Sequence, residues 1–220
     1  MIPAYDKVYL KKAQQAMARM LDFAVHELHN DIEEFFALFL SSIYDQRFES
    51  GDFSVLVGMS GVELAFSVLE DRGIDVKRFK PQYPIDRSEE YWTGWVLAYY
   101  QWYTALPFSQ IVRSVPVKTI QSLYTPYHEM DIRHFVNQMN HLYRLASPET
   151  NLQRMRRKAN LTQAQLSEMT GVSLRTLQDY EQRKKNINKA QAETILMLAQ
   201  GLCCDMEALL ERIPASLNHE

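Results

Sequence analysis

The 220-residue chain contains only two cysteines, seven glycines and eight prolines, and it has no long hydrophobic run. Its cysteines, Cys203 and Cys204, are adjacent, and neighbours in sequence do not readily reach disulfide geometry. This argues against a disulfide scaffold, and two reduced thiols are expected. So little glycine and proline disfavours an all-β chain with many turns. The longest apolar stretch, around FFALFLSSI, is too short to span a bilayer, and the opening MIPAYDKVYLKK lacks the order of a secretory leader. There is no G-x-S-x-G, no phosphate-cradling glycine loop and no cysteine–histidine signature. The expectation is a cytoplasmic, mostly helical protein that is not an enzyme and needs no cofactor.

Hydrophobic residues make up 46% of the chain, enough for a packed core, and they recur at helical spacing. A long helix is expected from Ala4 to Leu28, with Met17, Leu21, Ala24 and Leu28 on one face and Leu10, Ala13 and Met20 beside it. Asn30 or Asp31 caps a second helix that carries Ile32, Phe35, Phe36, Phe39 and Leu40 and stops at Gly51 and Asp52. Ser60 caps a third, which Gly73 ends. Residues 74–87, with Pro81 and Pro84, read as a connector. Ser88 restarts a helix, with Glu89 and Glu90 in its first turn, where the macrodipole favours acid. That helix, YWTGWVLAYYQWYT, is apolar nearly all round and should be central. Gly94 within it implies close approach of another backbone, and the polar tips of its Tyr and Trp residues also suit a binding face. Shorter helices begin near Ser109 and Pro116, and a longer one runs from Asp131 to Leu145. Ser147, Pro148 and Glu149 then interrupt the pattern. The expected domains are 1–148 and 149–220.

His26 and His29 flank Glu27 near the end of the first helix, with Asp31, Glu33 and Glu34 nearby. Two ligands and an acid are a minimal zinc set, yet HELH is not the HExxH spacing of metalloproteases, and no metal is expected.

The net charge of −3 conceals an asymmetry. Residues 150–190 hold nine Lys or Arg against three Asp or Glu, a surplus of six positive charges, whereas 1–149 and 191–220 are each acidic. A basic island in an acidic chain points to a local anionic partner. Within that island Leu152, Met155 and Ala159 line the inner face of a first helix. Thr162 caps the next, which carries Ala164, Leu166 and Met169. Gly171 permits a sharp turn, Val172 plugs the corner, and Ser173 caps a further helix whose Leu177 and Tyr180 point inward. Ile195, Leu196, Leu198 and Ala199 mark a closing helix, and MEALLE ends the bundle.

This ordered set resembles the Cro/repressor-type, or Xre-type, helix-turn-helix domain over residues 151–211. The matching residues are Leu152, Arg157, Leu161, Thr162, Gln163, Leu166, Gly171, Val172, Ser173, Thr176, Leu177, Tyr180, Glu181 and the Leu198–Ala199 pair. One departure is visible. The family usually has a glycine soon after the recognition helix, where this chain has Gln182 and Arg183, so one of them should adopt positive φ. The resemblance implies an all-α fold: a helical N-terminal domain followed by a five-helix, lambda-repressor-like bundle.

It also implies double-stranded DNA as partner. The helix opened by Ser173 and Thr176 would enter the major groove, where Leu174, Arg175 and Asp179, with Gln178 next, are placed to meet base edges. Thr162 and Gln163 stand at a helix N-terminus suited to phosphate, and Arg183, Lys184, Lys185 and Asn186 would add phosphate contacts that position without reading sequence. A homodimer on a two-fold site is expected, because one bundle covers only a short half-site. The whole-chain arrangement resembles bacterial regulators with a helical front domain, some of which are similar to antitoxins that neutralise a toxin and repress their own operon. The reading is a transcriptional repressor whose front domain senses an effector, dimerises or binds a partner protein. The alternatives are an antitoxin, an enzyme with a DNA-targeting tail and a protein-docking bundle.

Overall fold

The computed structural model describes residues 3–75, 81–82, 87–146 and 149–213. The chain forms two compact units, Met1–Ala146 and Ser147–Glu220, and among the described residues every regular element is helical. Much of the 74–87 connector lies outside the described residues.

The first unit is built on α1 (Lys7–His26), which Asp6 caps by accepting a hydrogen bond from Val8 N at 2.9 Å. Its buried face is dominated by small residues and methionines: Ala13, Ala16, Met17, Ala18, Met20, Leu21 and Ala24. Next come α2 (Ile32–Ser41), α3 (Ile43–Glu49), the one-turn α4 (Phe53–Leu56) and α5 (Gly61–Asp71). The aromatic segment is α6 (Glu89–Thr104), followed by α7 (Phe108–Ser114), α8 (Val117–Ser122), α9 (Tyr124–Tyr127) and α10 (Ile132–Ala146).

Two glycines set how closely these helices approach α1. A Cβ on Gly94 would fall 2.5 Å from the Met17 carbonyl oxygen and 2.7 Å from Ala18 Cα. A Cβ on Gly61 would fall 2.5 Å from the Ala16 carbonyl oxygen. α1 is therefore held between α6 and the start of α5 at near backbone contact, as Gly94 foretold. Phe36, Phe39, Phe48 and Phe108 interlock nearby, with ring centroids 5.5–6.2 Å apart, in the offset and edge-on arrangements that aromatic quadrupoles favour.

One expectation is corrected in this unit. The helix expected to run from Asp31 to Gly51 is broken at Ser42, whose backbone is extended. Ser42 Oγ donates to Phe39 O at 2.7 Å and accepts from Tyr44 N at 3.2 Å, ending one helix and capping the next. α6 is central but not wholly buried. Val96, Leu97, Ala98 and Tyr100 have no exposed surface, whereas Trp92, Trp95, Tyr99 and Tyr103 form a half-buried ridge. His26 Nε2 lies 2.8 Å from Glu90 Oε2, and His29 occupies a left-handed turn at φ 58°.

The second unit comprises α11 (Asn151–Lys158), α12 (Gln163–Thr170), α13 (Leu174–Glu181), a 3-10 turn at Ile187–Lys189, α14 (Ala192–Gly201) and a 3-10 turn at Met206–Ala208. The last of these, a single turn, stands where a fifth helix was expected. Leu152, Leu166, Val172, Leu177, Ile187, Ile195, Leu198, Ala199, Leu202 and Leu209 form its core. Ala159, expected on the inner face, is exposed, as are Ala164, Met169 and Leu196. A close approach occurs at Gly201, where a Cβ would sit 2.5 Å from Thr170 Cγ2.

Candidate nucleic-acid interface

Thr162 opens α12 with a capping box. Its Oγ1 accepts from Gln165 N at 3.2 Å, and Gln165 Oε1 accepts from Thr162 N at 2.9 Å. The helix ends at Gly171, whose φ of 71° is left-handed. Nothing lies within 4 Å of a Cβ built on Gly171, so the glycine is there for its dihedral and not for space. Ser167 Oγ donates to Val172 O at 2.7 Å, and Val172 is buried in the corner. Ser173 then caps α13 through Thr176 N at 3.2 Å. The chain thus leaves one helix and enters the next within three residues, with the corner hydrogen-bonded and plugged.

The relative setting of these helices rests on a buried ion pair that the sequence pattern did not reveal. Arg156 Nε and Nη2 donate to the two carboxylate oxygens of Glu181 at 2.7 and 2.9 Å. Arg156 Nη1 donates to Leu161 O at 2.7 Å, and Gln163 Nε2 donates to Glu181 Oε2 at 2.8 Å. One carboxylate therefore binds α11, α12 and α13 together, and its hydrogen bonding holds the Arg156 guanidinium above its usual pKa. Arg157, one of the residues that carry the family resemblance, is not the arginine of this pair. Arg157 is exposed and pairs with Glu149, while Arg156 is buried. The available signal was spacing: Arg156 follows Leu152 by one helical turn, on the inner face.

The residues expected to meet DNA separate into two groups. Thr162, Ser173, Leu174, Arg175, Lys184 and Lys185 are exposed. Leu174, the first residue of α13, is 39% exposed, and Arg175 has no ion-pair partner among the described residues. The others are engaged by the protein. Gln163 is tied to Glu181. Thr176 Oγ1 accepts from Ser173 Oγ at 2.9 Å. Gln178 and Asp179 are half-buried, and Asp179 Oδ2 lies 3.2 Å from Lys185 Nζ. Asn186 Oδ1 accepts from Asn188 N at 3.0 Å and caps the 3-10 turn. Arg183 takes the positive φ, 54°, and its guanidinium reaches Glu149 O at 3.2 Å and Glu211 at 3.8 Å.

Much of the basic surplus is thus matched inside the unit. Lys158, Arg175, Lys184 and Lys189 remain exposed without an acidic partner among the described residues. The free amides of the first turns of α12 and α13 add partial positive charge beside them. An exposed helix start bearing an arginine, flanked by lysines and helix N-termini, can offer hydrogen-bond donors to base edges and positive charge to phosphates.

Comparison with known proteins returns a family model described as Helix-turn-helix, matching residues 152–202. No curated protein and no solved structure matches the chain. No helix among the described residues is long and apolar enough to cross a membrane. The C-terminal unit carries a DNA-binding helix-turn-helix domain of the Xre, lambda-repressor-like kind.

Proposed function

We propose that the protein is a sequence-specific transcriptional repressor, in which α13 reads the major groove and the N-terminal unit binds a partner or effector. The observation that carries this reading is the exposed Leu174–Arg175 pair at the start of α13, immediately after the Ser173 cap. Side chains there project toward base edges when a recognition helix lies in the groove. Arg175 presents a fork suited to guanine O6 and N7, and Leu174 an apolar surface suited to a thymine methyl. Lys184 and Lys185, just past the helix, and the amides of α12 behind Thr162 are assigned to phosphates. Binding as a homodimer to a two-fold operator supplies the affinity that one short half-site lacks.

The deciding experiment is selection of bound fragments from a genomic library by the purified full-length chain. A shared motif with two inverted half-sites is the expected result. Uniform recovery without a motif, at low salt, would refute sequence-specific recognition. A second reading, an antitoxin that neutralises a toxin through the N-terminal unit and represses its own operon, is favoured by the exposed Val8 and Phe53 of that unit, at 70% and 61%. A bound fragment lying upstream of the protein's own gene, beside a toxin-like reading frame, supports it.

A further inference from the structure

The exposed face of α1 carries Val8, Lys11, Lys12 and Gln15 within two turns, with Lys7 beside them. Against it lies α4, whose Phe53 is 61% exposed. The Phe53 ring stands edge-on to Tyr9 of α1, 6.1 Å between centroids. Val8, at 70% exposure, and Val57, at 37%, extend the apolar surface. A soluble unit gains nothing for its own fold from leaving a phenylalanine in water.

An open groove of about 590 Å³ runs alongside, lined in part by Lys12, Gln15, Arg19, Val57, Glu63 and Tyr91. The acids of this face are already in use. Asp6 caps α1, Asp52 is paired with Arg47 at 2.8 Å, and Glu63 accepts from Ser60 N at 2.7 Å in the capping box of α5. Arg19 is held by Asp22 and Glu27. Lys7, Lys11 and Lys12 are exposed and have no acidic partner among the described residues. Residues 1–149 are acidic overall, so a lysine-edged apolar patch stands out from its own surroundings.

We propose that this face docks an acidic amphipathic segment of a partner protein, with apolar side chains on Val8, Phe53 and Val57 and carboxylates against Lys7, Lys11 and Lys12. The inference rests on the reading of the N-terminal unit as partner-binding. Charge selects the occupant. A second copy of this chain meeting the patch about a two-fold axis would set lysines against the same lysines, which complementary interfaces avoid. A nucleic acid would satisfy the lysines and leave Phe53 and Val8 wet.

The test places a photo-crosslinking residue at Phe53 or at Val57 in the full-length chain, in its native cells, with Met130 as a control on a different part of the unit. The expected result is one protein adduct common to positions 53 and 57 and weak at 130. That protein, purified, should lose about tenfold or more in affinity for F53E and for V8E, the scale of a hot-spot side chain. The double variant K11E/K12E should weaken binding and flatten its salt dependence. All variants should keep the wild-type thermal transition and DNA binding. Adducts to a second copy of the chain, or to nucleic acid, overturn the assignment. Capture of a partner only at Met130 overturns the face and spares the partner-binding reading. The absence of any adduct at all three positions overturns both.

Discussion

Arg175 is the second residue of α13 and Lys184 follows its end, and the proposed reading gives them different kinds of information. Replacing Arg175 with Ala should cost about 1–3 kcal/mol at one base pair and relax choice there. Replacing Lys184 with Ala should weaken all sequences alike and lower the slope of log affinity against log salt by about one. Titrations on matched and single-mismatch duplexes at several salt concentrations separate the two, and an equal loss on every duplex for Arg175→Ala would remove its reading role. In the first unit, Asp45 is buried with an unpartnered oxygen, and burial followed by the neighbouring Glu49 pushes its carboxyl up to about 7. The folded state therefore keeps a proton that the unfolded chain has released above its ordinary 3.8. This contribution is fully present below 3.8, falls as pH rises and levels off above about 7. The three tryptophans, Trp92, Trp95 and Trp102, all lie in this unit, so their fluorescence reports its unfolding. Asp45→Asn should flatten the stability profile between pH 4 and 7 relative to the wild type. The buried Asp45 left no mark in the sequence, because a charged side chain on an inner face breaks the apolar periodicity that marks burial; for Arg156 the one mark was its spacing from Leu152.

At the scale of elements, boundaries set by local chemistry were legible. Asp31, Ser60, Ser88, Thr162 and Ser173 each cap the helix assigned to them, because a side-chain oxygen satisfies amides that have no partner within the helix. Ser42 was missed because Phe39, Leu40 and Ile43 continue a hydrophobic run across the break. Faces were less legible than boundaries. Met169 and Leu196 are apolar yet exposed, since each eight- to ten-residue helix of the second unit presents only its core-facing positions to the interior. The joint among α11, α12 and α13 is predicted to be fragile. Glu181→Ala strands Arg156 in a site it cannot leave, and removing one partner of a buried pair costs about 3–5 kcal/mol. Circular dichroism and DNA binding should fail together, whereas Arg157→Ala, on the surface, should leave both near wild type. The α1–α6 crossing is equally specific. Gly94→Val places carbon where the Met17 carbonyl already sits and should cost at least about 1–3 kcal/mol, the scale of overpacking. An unchanged tryptophan-monitored melting temperature would show that the helices can separate cheaply.

For the whole molecule, each unit has its own core, and the C-terminal one is small. On the proposed reading a unit of this size covers few base pairs, so affinity and operator length would depend on how many copies engage at once. Full-length protein should bind a pair of inverted half-sites spaced by about one helical turn, near 10 base pairs, far more tightly than one half-site. Moving the half-sites apart by about half a turn puts them on opposite faces of the duplex and should abolish that gain. Gel-shift titration with stoichiometry measures this directly, and equal affinity for single and paired half-sites would argue for a monomeric reader.

The helical class, the caps, the turn at Gly171 and the helix-turn-helix character of the tail are all legible in the chain. These depend on residues within a few positions of one another, and their spacing is written in the chain. It also required a positive φ at Gln182 or Arg183, though not which of the two. Tertiary structure alone decided that Arg156 and not Arg157 is buried, that Asp45 is enclosed beside Glu49, and that Phe53 stands outside beside the lysines of α1. Each of those outcomes depends on which helix lies opposite. The free energy of burying or exposing a group is set by its neighbours in space, and no local pattern specifies them.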